Sequence, residues 1–360
     1  MFATLLSLVT LGLLILVHEA GHFVVARWRG VRVLRFSMGF GPRLFTWTRG
    51  YTEYAVSLIP LGGYVKMAGE QREEQTHQPW EYLSKSIGAR TAIVVAGPLV
   101  NYVLSLMTLW MVFVVGYPEL RPTVGKLLDD MPAKAAGVAT GDRILAINDQ
   151  AVMTWEEMTE LIHASPREPV RVRLERAGAE LTVSVVPHAK ETTDPYGRKK
   201  TVGLIGIAPS GEFVPLRFGP VEALRRTFAL QGEWCASMGM AMWSLFTGKV
   251  SMKESLTGPI GIIYLTSEAV HLGLTTLLYL LSLFSLSLAI FNVLPIPILD
   301  GGHLFFLALE KLRGSPVSVV VQERASQVSF VALITLALAV CINDIQRFGL
   351  LEKVVDWVQR

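Results

Sequence analysis

The segment from about Phe2 to Val25 constrains the fold most, because it is apolar enough to cross a bilayer yet contains the sequence H-E-A-G-H. Residues four apart lie on one helical face, so His18 and His22 can offer two imidazole nitrogens to one zinc ion. Glu19 lies beside them, where a carboxylate can act as general base on an attacking water. Ionisable side chains are costly inside a membrane and indicate function there. The segment therefore predicts a zinc hydrolase site within the membrane rather than a chance match to a common motif.

The composition agrees with a membrane protein. The chain has 360 residues, of which 51% are hydrophobic and 18% are charged, which is too apolar for an ordinary soluble protein of this length. Four segments approach the ~20 apolar residues that a membrane-spanning helix needs. They run over about 2–25, 92–116, 273–299 and 326–343. A shorter apolar segment, Trp234 to Phe246, is expected to belong to an amphipathic helix on the membrane surface.

The charge pattern predicts the orientation. Lysine and arginine are concentrated in residues 27–91 and in the short loop before the fourth span, so both loops are expected on the cytoplasmic side. Both termini and the long 117–271 region would then be periplasmic, in a multi-pass protein of the cell inner membrane. A formal net charge of +3 gives no indication of nucleic-acid binding. The two cysteines provide neither a disulfide framework nor a cysteine-based zinc site.

Residues 118–190 are predicted to form a periplasmic α/β domain inserted between the second and third spans. Segments such as Val170–Leu174 alternate apolar and polar residues, as half-buried strands do. Thr154, followed three residues later by Glu157, predicts a capped helix. The run A-G-V-A-T-G-D-R-I-L-A-I-N at 136–148 resembles the permuted PDZ domains of bacteria. PDZ domains bind extended peptide at a sheet edge, so we expect a peptide or the outer part of a substrate here. The alternative is a spacer that binds nothing.

The cytoplasmic loop is predicted to contain a membrane-associated β-hairpin at residues 51–67. Tyr54–Ile59 and Tyr64–Met67 are its strands, and Pro60–Gly63 is its turn. Irregular backbone survives at membrane depth only where its polar groups are paired or line a cavity. We therefore expect the hairpin to dip toward the active site and to offer an edge to an extended substrate. The positions expected to contact substrate are Tyr54, Val56, Leu58, Gly62 and Gly63. The alternative is a small cytoplasmic sheet.

A hydrolytic zinc site needs a third protein ligand, and Asp300 is the preferred candidate. His18 lies about 16 residues into its span, or roughly 24 Å along it at 1.5 Å per residue, which places it toward the cytoplasmic side. Asp300 is expected at the same depth, because it follows the prolines that interrupt the third span. His303, one helical turn later, is the second candidate, and a set of two histidines and one carboxylate favours Asp300. Alternatively, Asp300 only caps the next helix.

Six motifs along the chain carry a resemblance to a known family. They are H-E-A-G-H at 18–22, F-S-M-G-F-G at 36–41, P-L-G-G-Y-V-K-M at 60–67, A-G-P-L-V-N at 96–101, G-P-I-G-I at 258–262 and N-V-L-P-I-P-I-L-D-G-G-H at 292–303. In this order and spacing the chain resembles the site-2 protease family of intramembrane zinc metalloproteases. The resemblance implies one zinc ion held by His18, His22 and Asp300. It also implies that Glu19 activates water and that Asn292 contacts the substrate near the scissile bond.

The function implied is hydrolysis of peptide bonds within transmembrane segments of single-span membrane proteins, such as anti-sigma factors or remnant signal peptides. This is regulated intramembrane proteolysis. The alternatives are a membrane metal transporter or a non-catalytic scaffold with a peptide-binding PDZ domain. Two departures from the family's best-known member are visible. The chain has room for one PDZ-like domain instead of two, and Ser287 stands where that member has a second asparagine in the third span.

The predicted fold class is a polytopic α-helical membrane protein with four transmembrane helices, a membrane-associated β-hairpin and one inserted periplasmic PDZ-like α/β domain. The segments expected are transmembrane helix 1 (1–26), the cytoplasmic loop with its reentrant hairpin (27–91), transmembrane helix 2 (92–117), the PDZ-like domain (118–190), a periplasmic surface-helix region (191–272), transmembrane helix 3 (273–311), transmembrane helix 4 (326–345) and a periplasmic tail (346–360).

Overall fold

The computed structural model describes residues 2–193, 199–247 and 258–347. Its helices are α1 (Phe2–Trp28), α2 (Ile87–Val115), α3 (Pro132–Ala135), α4 (Trp155–His163), α5 (Pro220–Phe246), α6 (Pro259–Leu272), α7 (Leu274–Val293), α8 (Asp300–Arg313) and α9 (Val319–Arg347). Its strands are β1 (Val33–Arg49), β2 (Thr52–Met67), β3 (Tyr117–Leu120), β4 (Val124–Leu127), β5 (Arg143–Ile147), β6 (Gln150–Ala151), β7 (Val170–Arg176), β8 (Ala179–Val185), β9 (His188–Thr193), β10 (Lys199–Leu204), β11 (Ile207–Pro209) and β12 (Phe213–Leu216). Most of the predicted tail at 346–360 lies outside the described residues.

The chain divides into two compact units. The first, here the helical unit, consists of residues 1–111 and 245–360, and the second consists of Val112–Ser244. Within the described residues, four helices are long and apolar enough to cross a membrane. They are Leu8–Trp28 of α1, then α2, α7 and α9. This agrees with the prediction of four spans.

The third predicted span is divided by the prolines that the sequence places there. Helix α7 ends at Val293 and α8 begins at Asp300, so the helix predicted over 273–311 is two helices joined by a short loop. Proline has no backbone N–H to donate and restricts the residue before it, so Pro295 and Pro297 prevent α7 from continuing. The loop folds back tightly onto the start of α8: a Cβ at Gly301 would lie 2.1 Å from the carbonyl oxygen of Leu294. The sequence D-G-G thus allows Asp300 to stand at the first turn of α8.

The hairpin in the cytoplasmic loop is larger than predicted, and its pairing is different. Residues 54–59 and 64–67 were expected to pair with each other across a turn at 60–63, and that prediction is wrong. Both parts of β2 pair with β1 instead, so that Met38 faces Gly63 on one side and Val56 on the other. Strand β1 is bent where Gly39 and Gly41 have positive φ values of 89° and 84°. The bend lets residues 33–38 lie between the two parts of β2.

A buried carboxylate joins the last described helix to α6. Asp344 of α9 is fully buried, and its Oδ2 accepts hydrogen bonds from the backbone N–H groups of Gly258 (2.9 Å) and Gly261 (2.8 Å). These groups stand at the amino end of α6, where N–H groups have no partner within the helix. The carboxylate also complements the positive end of the helix dipole. One side chain thereby ties residues near 260 to the end of α9.

The second unit contains a β-rich domain, here called the inserted domain (residues 117–216). Its main sheet has the strand order β6-β5-β7-β8, and β3 and β4 pair with β12 and β11. Helix α4 covers this core, and Thr154 and Glu157 form the predicted capping box at its start. The core is an apolar cluster that includes Ile144, Met158 and Leu174.

The inserted domain extends beyond the predicted limit of residue 190. The region 191–272 was expected to be a surface-helix region, but residues 199–216 form strands β10, β11 and β12. Ile207 of β11 pairs with Leu127 of β4, and Leu216 of β12 pairs with Tyr117 of β3. Helix α5 follows and includes the apolar segment 234–246 as its second half. Residues 194–198 and 248–257 of this predicted region lie outside the described residues.

Candidate metal centre

The two histidines of α1 face a carboxylate from α8. His18 and His22 are both buried, and their Nε2 atoms lie 3.2 Å apart. Asp300 Oδ2 lies 3.0 Å from His18 Nε2 and 3.4 Å from His22 Nε2. The structure therefore brings together the three residues that the sequence selected from segments almost 280 positions apart.

The geometry of this cluster fits a zinc ion. A tetrahedral ion about 2.0–2.1 Å from its ligands requires neighbouring ligand atoms roughly 3.3 Å apart, and the three separations here are 3.0, 3.2 and 3.4 Å. The Oδ2 atom of Asp300 is buried without a hydrogen-bond partner, as expected of an oxygen atom whose partner is a bound cation. His22 Nδ1 donates to the carbonyl oxygen of Ile93 at 2.8 Å. The neutral ring then has its free lone pair on Nε2, which faces the other two ligands.

Small residues provide the room for this cluster. A Cβ at Gly97 of α2 would lie 2.3 Å from His22 Nε2 and 2.8 Å from His18 Cε1. A Cβ at Gly21 of α1 would lie 2.5 Å from the carbonyl oxygen of Ala96. Helices α1 and α2 therefore cross with their backbones in close contact, as helices do in membranes where glycines meet. This contact explains the glycines of H-E-A-G-H and A-G-P-L-V-N.

Glu19 lies between the histidines and strand β2. The backbone N–H of Val65 lies close to its carboxylate. A Cβ at Gly63 would lie 3.3 Å from Glu19 Cγ, so a larger residue at position 63 would press on the carboxylate. Strand β2 thus packs against Glu19 beside the candidate metal ligands, where the carboxylate can exchange a proton with a water molecule next to the cluster.

The cluster opens into a cavity of about 710 Å³ within the helical unit. Asn292, Tyr64 and Val65 line it together with the three candidate metal ligands and Glu19. The rest of its wall combines apolar residues with charged ones, among them Arg90 and Glu310, which form a bidentate ion pair between α2 and α8. A cavity of this size and mixed lining has room for water and for a peptide segment.

Of the residues predicted to contact substrate, two lie at the cavity or against Glu19 and four lie elsewhere on the hairpin. Asn292 lines the cavity, and Gly63 lies against Glu19. The ring of Tyr54 instead packs against the rings of Phe23, Phe36 and Trp47. Leu58 is exposed, Val56 is partly buried, and Gly62 lies against the ring of Phe40. His303, the second candidate for the third ligand, lines the cavity but is not among the three clustered ligand atoms.

Comparison with known proteins gives a consistent set of relatives. The model of "Peptidase family M50" matches residues 6–336. A putative zinc metalloprotease of Rhizobium meliloti (strain 1021) is 37% identical over 361 residues, covering 95% of each chain. The zinc metalloprotease RasP of Geobacillus kaustophilus (strain HTA426) is 29% identical, covering 95% of this chain and 97% of that protein. The regulator of sigma-E protease RseP of Escherichia coli (strain K12) is 31% identical over 452 residues, covering 94% of this chain and 97% of that protein.

A solved structure, the PDZ domain of an SdrC-like protein from Listeria innocua, matches 26% of this chain and 96% of that chain, with 23% identity and a TM-score of 0.21.

Proposed function

Since the chain belongs to peptidase family M50, we propose that His18, His22 and Asp300 hold its zinc ion and that Glu19 is the general base. The protein is an intramembrane zinc metalloprotease that acts in regulated intramembrane proteolysis. The observation that supports the residue assignment is the triangle of ligand atoms beside Glu19. A metal transporter is not favoured by the family, and a non-catalytic scaffold would not need the complete set of hydrolytic groups.

Each group at this site would have a distinct role in peptide-bond hydrolysis. Zinc, when bound, supplies a Lewis acid that polarises a carbonyl group and lowers the pKa of water. Glu19 accepts the proton of the attacking water and returns it to the leaving amine. The Val65 N–H, close to the Glu19 carboxylate, contributes to its position for both transfers. The burial of His18 and His22 lowers the local dielectric constant and strengthens each electrostatic contact.

The substrate must reach this site in extended form. Peptide bonds in a membrane helix are hydrogen-bonded within the helix, so the helix has to unwind before it is cut. We propose that the unwound segment runs beside residues 63–67 of β2, which line the cavity at Tyr64, Val65 and Met67. Asn292, on the same cavity wall, would then contact the substrate near the scissile bond. Tyr54, Val56, Leu58 and Gly62 would contact only a part of the substrate beyond the cavity.

The substrate class that fits this site is a single-span membrane protein, such as an anti-sigma factor or a remnant signal peptide. We propose a location in the inner membrane with both termini in the periplasm and the zinc site toward the cytoplasm. The inserted domain, as a PDZ-like module, would bind the outer part of a substrate. The positive charges of residues 27–91 support this orientation.

The catalytic assignment is tested by Glu19→Gln. This change removes the base but no ligand, so cleavage of a model transmembrane substrate should fall by about 10²- to 10⁴-fold while zinc remains bound. His22→Ala should lose both the metal and the activity. Zinc per protein and cleavage rate are measured on the purified full chain, with Glu180→Gln, at an exposed position of β8 in the inserted domain, as the control. Substantial activity in Glu19→Gln would show that another group is the base.

The orientation is tested by labelling single cysteines in permeabilised cells with a thiol reagent that does not cross the inner membrane. The background lacks Cys235 and Cys341. Positions 156 and 190 should label, and positions 72 and 313 should be protected. Labelling at position 313 would contradict the proposed arrangement of spans.

A further inference from the structure

A buried asparagine of α2 contacts one of the two candidate metal-binding histidines at the ring nitrogen that faces away from the metal cluster. Asn101 is fully buried, and its side-chain amide lies 3.3 Å from His18 Nδ1. The opposite ring nitrogen, Nε2, is the atom that faces His22 and Asp300. Asn101 therefore contacts the one polar atom of the His18 ring that the metal cluster does not use.

The protonation of His18 determines what this contact must be. A neutral imidazole that offers Nε2 to a cation has its proton on Nδ1, so Nδ1 donates a hydrogen bond and needs an acceptor. As oriented, the amide presents Nδ2, a second donor, to His18 Nδ1, while Asn101 Oδ1 is buried without a partner. The oxygen and nitrogen of an amide are close to identical in shape, and their assignment rests on the hydrogen-bond network. Rotating the amide by 180° gives His18 its acceptor and gives Oδ1 its partner, and it places Nδ2 where Oδ1 stood.

The other histidine already shows the same arrangement. His22 Nδ1 donates to the carbonyl oxygen of Ile93, which also belongs to α2. With Asn101 Oδ1 as acceptor, each imidazole would have one outer hydrogen bond to α2, from positions eight residues apart. Both rings would then be held in the tautomer that leaves Nε2 free for the metal.

Asn101 is itself fixed by a neighbouring helix. The hydroxyl of Ser285 on α7 donates to the backbone carbonyl oxygen of Asn101 at 2.8 Å. One turn away, Ser105 and Ser282 exchange hydrogen bonds, with Ser105 Oγ donating to the Ser282 carbonyl oxygen at 2.7 Å and Ser282 Oγ donating to the Ser105 carbonyl oxygen at 2.9 Å. These contacts hold the turn of α2 that carries Asn101, so the amide has a fixed place from which to orient His18.

We propose that Asn101 is a positioning residue that accepts the His18 Nδ1 proton through Oδ1 and holds the ring for metal binding, an inference that rests on the proposed zinc site. It does not touch the metal or the substrate. Partners of this kind alter metal affinity by about 10- to 100-fold when they are removed.

Two substitutions at position 101 test whether Asn101 acts as a hydrogen-bond acceptor or only fills space between the helices. Asn101→Leu keeps a similar volume and removes the acceptor, so the zinc dissociation constant should rise by about 10- to 100-fold. Asn101→Asp has a carboxylate that accepts but, when ionised, does not donate, so zinc affinity at pH 8 should remain within a few-fold of the original value. Thr108→Val is the packing control, because it removes a buried hydroxyl of α2 that donates to carbonyl groups of its own helix. It leaves the contacts of Asn101 and His18 in place and should leave zinc affinity unchanged.

The measurement is competition for zinc, at pH 8, between the full-length protein in detergent and a chelator of known affinity. The visible absorption spectrum of the cobalt-substituted protein is a second measurement, since a change in the orientation of the His18 ring changes the ligand field of the metal. If Asn101→Asp weakens zinc as much as Asn101→Leu does, the amide acts as a donor and the proposal is wrong. If neither change weakens zinc binding, or if Thr108→Val weakens it equally, Asn101 serves packing alone.

If Asn101→Leu fails to fold, Asn101→Asp still tests the acceptor, because an ionised carboxylate accepts a hydrogen bond without donating one. A zinc affinity of Asn101→Asp more than about 10-fold below that of the unaltered protein would contradict the proposal. Failure of the unaltered protein to bind zinc would instead overturn the metal site itself, which distinguishes the two outcomes.

Discussion

The metal centre and the inserted domain are built by opposite means. At the metal centre, polar side chains are buried and the space between helices is set by glycines, as at Gly97 beside His22. In the inserted domain, an apolar cluster around Ile144 and Leu174 forms the core, and the chief buried charge, Asp142, is fully paired. Apolar burial contributes little to holding helices together in a bilayer, whose interior is itself apolar, whereas it dominates in water. We therefore expect zinc binding at the centre to be sensitive to added side-chain volume. We expect the stability of the inserted domain to be sensitive to the loss of ion pairs and of buried apolar surface.

The largest effect is expected from adding one methyl group at the centre. In Gly97→Ala the new Cβ would lie 2.3 Å from His22 Nε2, on a helix whose backbone cannot move away easily. Zinc content should fall close to zero, and activity should be lost with it. Gly88→Ala is the matched control on the same helix, because a Cβ there meets nothing within 4 Å. Metal analysis of both purified variants tests this, and full zinc content in Gly97→Ala would show that the helices are not as close as described.

A smaller, local effect is expected in the inserted domain from Asp142→Asn. Arg176 donates two hydrogen bonds of 2.7 Å to the Asp142 carboxylate, and the N–H of Ala139 donates a third at 2.8 Å. Hydrogen bonds to charged groups contribute about 1.5–3 kcal/mol each, and the amide keeps part of the network, so we expect a loss of about 2–3 kcal/mol. Hydrogen exchange of β5 and β7 in the full-length protein measures it.

The control for this prediction is Asp149→Asn, whose ion pair with Arg171 is exposed on both sides. Exposed pairs contribute about 0–1 kcal/mol, so exchange should scarcely change. Zinc content should remain normal in both variants. A loss of zinc in Asp142→Asn would show that the two regions depend on each other, against the comparison above.

The carboxylate of Asp142 also predicts a pH dependence. Burial acts to raise its pKa, but the hydrogen bonds from Arg176 and Ala139 outweigh burial and hold the pKa below its usual value. Its stabilising contribution is therefore present above the unfolded pKa of about 3.9 and is lost as the pH falls through the lower folded value.

The smallest effect is expected at Glu119, where the pH dependence has the opposite sign. Burial, together with the nearby carboxylates of Glu156 and Glu157, raises the pKa of Glu119 to about 7. The folded domain then binds this proton more tightly than the unfolded chain, whose glutamate pKa is about 4.3, so stability declines as the pH rises between these values. Glu119→Gln should slow hydrogen exchange of the domain at pH 8 relative to the unaltered protein and change it less at pH 5.

Glu180→Gln, at an exposed position of β8, is the control for Glu119. It should show no such difference between the two pH values. Equal effects of Glu119→Gln at pH 5 and pH 8 would mean that Glu119 ionises normally in the folded domain.

The predicted residues that the structure brings together at the centre are those whose chemistry resides in side chains. His18 and His22 could be selected from residue type and helical spacing, and Asp300 from residue type and expected depth. Ile93 and Val65 could not be selected, because each contributes a backbone group, which any residue provides. The motif A-G-P-L-V-N carried a resemblance, but the roles of its glycine and asparagine depend on distances that only the packed helices define.

The strand pairings that were missed are those between distant parts of the chain. Ile207 pairs with Leu127 across 80 positions, and no local pattern specifies that partner. The pairing of β2 with β1 depends on the bend at Gly39 and Gly41, whereas Pro60–Gly63 looks like an ordinary hairpin turn. By contrast, the capped start of α4 and the break before Asp300 were predicted, because Thr154 and Pro295 act on their own neighbours.

The carboxylate of Asp344 has a consequence for how the protein is made. A ribosome produces the N–H groups of Gly258 and Gly261 more than 80 residues before it produces their acceptor, so the start of α6 lacks this partner until α9 has been made. A chain cut short before residue 344 would hold every proposed zinc ligand and Glu19, yet leave two N–H groups without this acceptor, each at a cost of about 1–3 kcal/mol. The stability of the segment near residue 260 is thereby coupled to the synthesis of α9, and a protease truncated before residue 344 would be destabilised from the outset.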